Sequence, residues 1–288
     1  MAGITISTKD ISELRARTGA GIGDCKKALE EAGGDLAKAA ELLRAKGIAK
    51  AEKRAGRVAS QGLVGIELLP GAVGAAMLEL NSETDFVARN DEFKALLKAL
   101  VADAVRHAPL GAAELSGDGG YLGQPFGDST VGETVKTASG KTGEAIALRR
   151  VARFAPVGGV VGTYLHHNEQ VGVLVELAGA TGEAAVTLAR EVALHVASAD
   201  PIAVSPADIA PEVLERERRI AEEQVAAEGK PEAIRAKIVE GKLRKFAQER
   251  ALLEQPFVKD ESRTVGQMVA ALPGASVVRF ARFKVGEA

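Results

Sequence analysis

The stretches GLVGIELLPGAVGAAMLEL, residues 62–80, and GVVGTYLHHNEQVGVLVEL, residues 159–177, decide the fold, because they are one pattern written twice. Gly65 to Leu80 spans the same distance as Gly162 to Leu177. Each stretch reads as a β-hairpin with a β-rich arm, a turn at Pro70 and Gly71 or at Asn168 and Glu169, and a second apolar arm. A helix is expected after each hairpin. Phe93, Leu96, Leu97 and Leu100 form one apolar stripe at helical spacing, and Val186, Ala189, Val192 and Val196 form the other. The likeness resumes in LRRVARF, residues 148–154, and VRFARF, residues 278–283, each preceded by a short Thr-Val helical stretch near Thr134 or Thr264. Each copy therefore reads ββα…αβ. That order predicts an α+β fold built from two repeated core subdomains, each with helices on a small antiparallel sheet.

Outward from the repeat lie two helical additions. At the N-terminus, residues 9–18 place Ile11 and Leu14 on one face and stop at Gly19; Asp24 is expected to cap a second helix with Ala28, Leu29 and Ala32. Asp35 caps a third, carrying Leu36, Ala39, Ala40 and Leu43 and ending at Gly47. A basic tether, AKAEKRAGRVASQG, follows. Between Pro206 and Arg250 the second copy is interrupted by a charged segment with two sets of apolar stripes. Val213, Leu214, Ile220, Ala221 and Val225 lie before Gly229, Lys230 and Pro231, with Ile234, Ile238, Val239, Leu243 and Phe246 after them. This predicts a helical hairpin that packs on the body or pairs as a coiled-coil homodimer. The expected divisions are 1–48 (helical module), 49–61 (linker), 62–155 (core subdomain 1), 156–205 with 251–288 (core subdomain 2) and 206–250 (hairpin insertion).

Composition narrows the function. The 288 residues carry 37 Lys and Arg against 39 Asp and Glu, a formal charge of -2, which leaves no basic field to steer the molecule onto nucleic acid or an anionic membrane. Aromatic residues make up 3% with no Trp, so base-stacking platforms are not expected. The one cysteine, Cys25, has no partner for a disulfide, a CxxC pair or an all-cysteine zinc site. A reducing cytoplasm is the expected compartment, with no signal peptide and no membrane span. His107, His166, His167 and His195 show no zinc-ligand spacing, and there is no phosphate loop or nucleophile elbow, so neither metal nor cofactor is expected. The glycine string at 19–23 imitates a dinucleotide loop but follows a helix rather than a strand. Glu79 and Glu176 occupy matching strand positions, where a solvent-facing carboxylate is the usual explanation.

The segment NSETDFVARN, residues 81–90, stands apart, because the second copy has AGATGEAAV in its place. Two readings of it are open. Either Thr84 or Asp85 caps the next helix while Phe86 and Val87 fill the core, or Phe86 stands out beside a carboxylate as an anchor for a partner. Ile22, among glycines, poses the same question of core or contact. From the residues alone, a partner-binding protein, an RNA-binding protein using Lys50, Lys53, Arg54 and Arg57, and a small-molecule enzyme all remain open.

TGAGIGDCKKAL at 18–29 and TDFVARN at 84–90, with GVLVEL at 172–177 and QPFV at 255–258, together resemble translation elongation factor Ts nearly end to end. The resemblance implies a guanine-nucleotide exchange factor for elongation factor Tu, not an enzyme, with a ubiquitin-associated-like N-terminal module. It implies that Thr84, Asp85, Phe86 and Val87 enter the partner GTPase near its magnesium site, with Phe86 as the wedge. Ile22 and Lys26 are implied to touch the GTPase domain with Leu14 as support, and Tyr164 and His166, with His167 alongside, another domain of the partner. Two departures stand out. The chain ends at Gly286, Glu287 and Ala288 without the C-terminal helix of some members, and residues 108–132 are Gly-rich, which predicts a mobile loop or lid.

Overall fold

Ser7 opens the first helix reciprocally: its hydroxyl accepts from the Asp10 N–H (3.1 Å) while the Asp10 carboxylate accepts from the Ser7 N–H (3.4 Å). The protein is seen as a computed structural model that describes residues 6–54, 56–113, 115–117, 119–228 and 231–287. Helix α1 (Thr8–Thr18) ends at Gly19 in the left-handed conformation. Helices α2 (Ile22–Glu31) and α3 (Leu36–Glu52) close around Leu14, Cys25, Ala28, Leu29 and Ala39. Asp35 caps α3 as expected, accepting from Ala37 and Lys38.

Two local expectations fail here. Asp24 does not cap α2: the helix begins at Ile22 after Gly21, so Asp24 lies in the first turn, where a carboxylate suits the helix dipole, and it pairs with Lys50 at 3.4 Å. Nor does α3 stop at Gly47; it continues to Glu52. Gly47 is a crossing point, not a terminator: a Cβ placed on Gly140 would come within 2.9 Å of the Gly47 Cα.

The first core unit runs β1 (Gln61–Leu68), β2 (Ala75–Ser82), the one-turn α4 (Asp85–Ala88) and α5 (Asp91–His107), then a short β3 (Gly111–Ala113). After β4 (Pro125–Phe126) and β5 (Ser129–Thr130) come α6 (Val131–Thr142) and β6 (Ile146–Phe154). The second unit repeats it with β7 (Gly159–Leu165), β8 (Val171–Ala178) and α7 (Glu183–Ala199). Its chain then makes α8 (Pro211–Ala227) and α9 (Glu232–Arg250), and closes with β9 (Pro256–Phe257), β10 (Asp260–Thr264), α10 (Val265–Ala270) and β11 (Ser276–Lys284). The sheets are antiparallel with orders β1-β2-β6-β3 and β11-β8-β7, so the α+β architecture expected from the repeat is present.

The repeat extends further than its hairpins suggest. A short 3-10 turn, Tyr121–Gly123 or Leu252–Glu254, precedes Gln124-Pro125-Phe126 or Gln255-Pro256-Phe257, and Thr130 or Thr264 then caps the helix. The first-copy helix therefore starts at Val131 behind its Thr130 cap, one turn earlier than the stretch near Thr134 expected. From Tyr121 onward the Gly-rich stretch is a built element rather than a lid: Tyr121 is fully buried and its single hydroxyl proton is shared between the Leu100 carbonyl (2.8 Å) and Asp103 (2.9 Å).

Each sheet carries its long helix on one face. Leu63, Leu78 and Leu80 meet Phe93, Leu97 and Leu100 of α5, and Val173 and Val175 meet Val192 and Val196 of α7. The opposite faces meet each other: Val64, Met77, Ala152 and Phe154 pack against Val161, Leu174 and Phe283. Because strand side chains alternate, this second face is also where Glu79 and Glu176 point, and both are buried, contrary to the solvent-facing expectation. Arg150 Nε donates to Glu79 (2.8 Å) and Arg279 Nε to Glu176 (2.7 Å). Each guanidinium then stacks on the other copy's aromatic ring. Arg150 lies 4.7 Å from the Phe283 centroid and Arg279 lies 4.4 Å from that of Phe154.

The insertion is a helical hairpin, as read. Ala221, Val225 and Val239 form its buried seam, while Ile220 and Ile234 stay substantially exposed. Pro231 stands just before α9 rather than in its first turn; Gly229 and Lys230 lie outside the described residues.

Candidate functional site

The corner after β2 holds its residues in opposite environments. Thr84 has extended backbone and caps α4, its Oγ1 accepting from the Val87 N–H (3.4 Å). Val87 turns inward against the first core, but Phe86 is 83% exposed. The core-filler reading of Phe86 is therefore wrong. A helix of one turn has one side facing the body, and Val87 and Ala88 occupy it. Asp85 is held at the surface by Arg89, 3.0 Å away.

Beside this corner is a cleft of about 550 Å³ whose walls include Asp85, Arg89 and Lys94 from the first copy and His167, Asn168 and Gln170 from the second. The second hairpin's turn is brought there by backbone, through a bond from the Val64 N–H to the Glu169 carbonyl (2.7 Å). Within that turn Tyr164 Oη and His166 Nδ1 are 3.0 Å apart, and the His166 and His167 rings lie 4.2 Å centroid to centroid. Of the expected contact residues the cleft thus brings together Asp85 and His167, 82 positions apart in sequence, whereas Thr84, Phe86, Val87, Tyr164 and His166 are not among its walls.

Ile22 and Lys26 lie elsewhere, on α2. Ile22 is 60% exposed as the first residue of that helix, and Lys26 is 3.9 Å from Glu30. Leu14 is fully buried in the module's core with Cys25, Ala28 and Leu29. The module is seated on the first core unit through α3 against α6, with Arg44 reaching Glu133 (3.2 Å) and Lys136 reaching Glu52 (2.9 Å). The tether's cations are engaged in the protein's own contacts. Lys50 pairs with Asp24, Arg54 donates to the Ser139 carbonyl (3.1 Å) and Arg57 to Glu83 (3.3 Å). Lys53 stands exposed beside them.

Residues 83–287 match the family described as Elongation factor TS. The chain belongs to the elongation factor Ts family. Relatives carrying that name include those of Prosthecochloris aestuarii, 42% identical over 286 residues (98% of this chain, 99% of the relative), and Aquifex aeolicus, 44% over 289 residues (98% and 99%). The relative from Burkholderia thailandensis is 44% identical over 287 residues (100% and 92%). Membership makes this chain a translation elongation factor. No helix of the described residues is long and apolar enough to cross a membrane.

Sequence reasoning missed the groups that hold the corner. Glu83 accepts from the Ala145 N–H (2.7 Å), and Glu144 accepts from both the Thr84 N–H (3.0 Å) and the Thr84 hydroxyl (2.7 Å). The Ala145 N–H, followed by Arg57, holds the Glu83 carboxyl below its ordinary range. Glu144 lies sixty residues from Thr84 with nothing in its own surroundings to mark it, so no local pattern could have found it. The pairs of buried Glu79 with Arg150 and of buried Glu176 with Arg279 did leave a signal, because all four residues recur at matched repeat positions.

Proposed function

We propose that this member of the family binds elongation factor Tu as a nucleotide exchange factor. In this reading Phe86 inserts between helices near the partner's magnesium site, Asp85 sits beside it as the polar neighbour, and Thr84 and Val87 hold the turn. Ile22 and Lys26 meet the GTPase domain, and His166 a second domain. The observation that carries the reading is the exposure of Phe86 on a corner anchored from both sides, at the point where the two core copies diverge.

An exposed aromatic on a fixed turn provides apolar area with little left to order on binding, which is what an anchor residue needs. Exchange then follows from linkage. A factor that binds the nucleotide-free GTPase more tightly than its GDP form must weaken GDP by the same ratio. Disturbing the magnesium removes a bridge to the phosphates, and moving helices around the ring distorts the loop that holds them. No covalent step by this chain is required, and no direct nucleic-acid contact. Pairing of two copies through residues 206–250 belongs to the same proposal, with Ile220 and Ile234 as the apolar surface available to it.

The test is release of fluorescent GDP from elongation factor Tu under excess unlabelled GDP, with this protein substoichiometric. Accelerated release with turnover is expected. Absence of acceleration by folded protein would overturn the proposal.

A further inference from the structure

Strands β2 and β6 pair as far as Ser82 opposite Ile146, and there the backbone ladder ends. Two carboxylates continue it. Glu83, next after Ser82, takes the Ala145 N–H, and Glu144, next beyond Ala145, takes the Thr84 N–H. The two chain ends thus exchange side-chain acceptors where backbone carbonyls would otherwise serve. Glu144 does one thing more. A hydroxyl has a single proton, and the Thr84 proton goes to Glu144 Oε1, so the lone pairs of Thr84 Oγ1 are left for the Val87 N–H of α4. That bond caps a helix of one turn, too short to hold its own shape in water. The direction of Phe86 therefore depends on a carboxylate outside its own element.

The second copy shows that the fold itself does not need this arrangement. At the matching corner β8 passes Gly179, whose backbone approaches Gly274 so closely that a Cβ would sit 2.0 Å from the Gly274 carbonyl oxygen, and α7 starts at Glu183 after an uncapped Gly182. There the corner closes by backbone contact alone and presents no aromatic. The carboxylate exchange is present only where Phe86 is displayed.

We propose that Glu144, with Glu83 opposite it, is a positioning residue for Phe86: it holds α4 in the orientation that inserts into the partner, without itself touching that partner. The inference rests on the exchange reading above. A second link follows from the same geometry, since Glu144 directly follows the Gly143 cap of α6, the helix on which the N-terminal module sits, and Arg57 of the tether binds Glu83. Seating of the module and orientation of Phe86 therefore share one rigid element.

The test uses the full-length protein with Glu144→Ala, Glu144→Gln, Thr84→Val, Thr84→Ser, Phe86→Ala and the Glu144→Ala/Phe86→Ala double variant. GDP release from elongation factor Tu is followed across exchange-factor concentration, which separates the maximal rate from the half-saturating concentration. Glu144→Ala and Thr84→Val are expected to lower the maximal rate about fivefold, the size of a lost helix cap, while Thr84→Ser, which keeps the hydroxyl, should lose less than Thr84→Val. The half-saturating concentration, set by the rest of the interface, should hold. In the Phe86→Ala background the Glu144 substitution should have no further effect, because the ring it positions is gone. Glu144→Gln keeps the volume but has only one oxygen to accept two protons, so it should fall between the two. Amide exchange at Val87 and Ala88 should quicken in Glu144→Ala by more than the small fall in melting temperature of the whole accounts for. A wild-type maximal rate in Glu144→Ala, or an equal loss with and without Phe86, would overturn the inference while leaving the exchange reading intact. Wild-type release by Phe86→Ala would overturn the insertion of Phe86 and this inference together, whereas no acceleration by the wild-type protein would overturn the exchange reading itself.

Discussion

At the end of β2 the chain leaves its sheet through Glu83 and Thr84 and makes a separate turn of helix before α5; at the end of β8 it passes two glycines and enters α7 directly. The sheets, the long helices and the Glu–Arg pairs match between the copies, while the corner differs. A similar contrast holds one layer away. In the first copy the segment before the short hairpin is pinned to α5 by Tyr121, whose hydroxyl proton is shared between Leu100 and Asp103; in the second it is pinned to α7 by His195. His195 Nδ1 accepts from the Val258 N–H (3.2 Å), so its Nε2–H donates to Gln255 Oε1 (2.9 Å). The repeat thus keeps its sheets, long helices and Glu–Arg pairs, and varies the corner and the group that pins the short hairpin.

Gly179→Ala attacks the second corner where it is least able to adapt. A positive φ and a Cβ on the Gly274 carbonyl together should cost about 3–4 kcal/mol, whereas Ser82→Ala at the matching first-copy position should cost about 1 kcal/mol for one lost hydrogen bond. Urea unfolding of the two variants measures the asymmetry, and equal losses would mean that the corners close alike. Next in size is Glu79→Ala, which strands Arg150 at the junction of the sheets and should cost about 3 kcal/mol. Glu176→Ala should cost about half as much, because Arg279 is the more exposed partner. The reverse ranking would show that the second pair, not the first, holds the two copies together.

Phe86→Ala sharpens the contrast from the functional side. It should slow exchange about thirtyfold, the loss of an aromatic anchor of roughly 2 kcal/mol. Stability should stay within about 0.5 kcal/mol, because the ring is exposed. A large fall in melting temperature would mean the ring packs after all. The smallest effect is on pH. Burial lowers the His195 pKa below its ordinary value of 6.5, so the unfolded chain binds a proton there more readily than the folded one. The contribution of His195 is complete above pH 6.5 and is lost as pH falls from there through the lowered folded value. Hydrogen exchange should therefore quicken in α7 relative to α5 on acidification, and this acid limb should vanish in His195→Gln.

Much of the site was legible, but in parts of different kinds. The corner at 81–90 could be singled out because the second copy lacks it, and Thr84 as a cap follows from residue type. The facing of Phe86 could not be read, since a one-turn helix gives no periodicity to say which side is inward. The N-terminal helices were readable except at Asp24 and Gly47, where a first-turn carboxylate resembles a cap and a crossing glycine resembles a stop. The tether's charge is visible in sequence, while the acceptors of Lys50, Arg54 and Arg57 are not.

By itself the sequence determined the repeat, the alternation of strands and helices, the hairpin insertion and the family, because these rest on spacing and residue type within each segment. Only the tertiary structure decided which strand face each carboxylate meets. Glu79 alternates like a solvent-facing residue, and it is buried because a second sheet from a hundred residues downstream covers that face. The same holds for Glu144 and Thr84. A hydrogen bond across sixty residues depends on how two chain ends are brought together, and no pattern within either end records it.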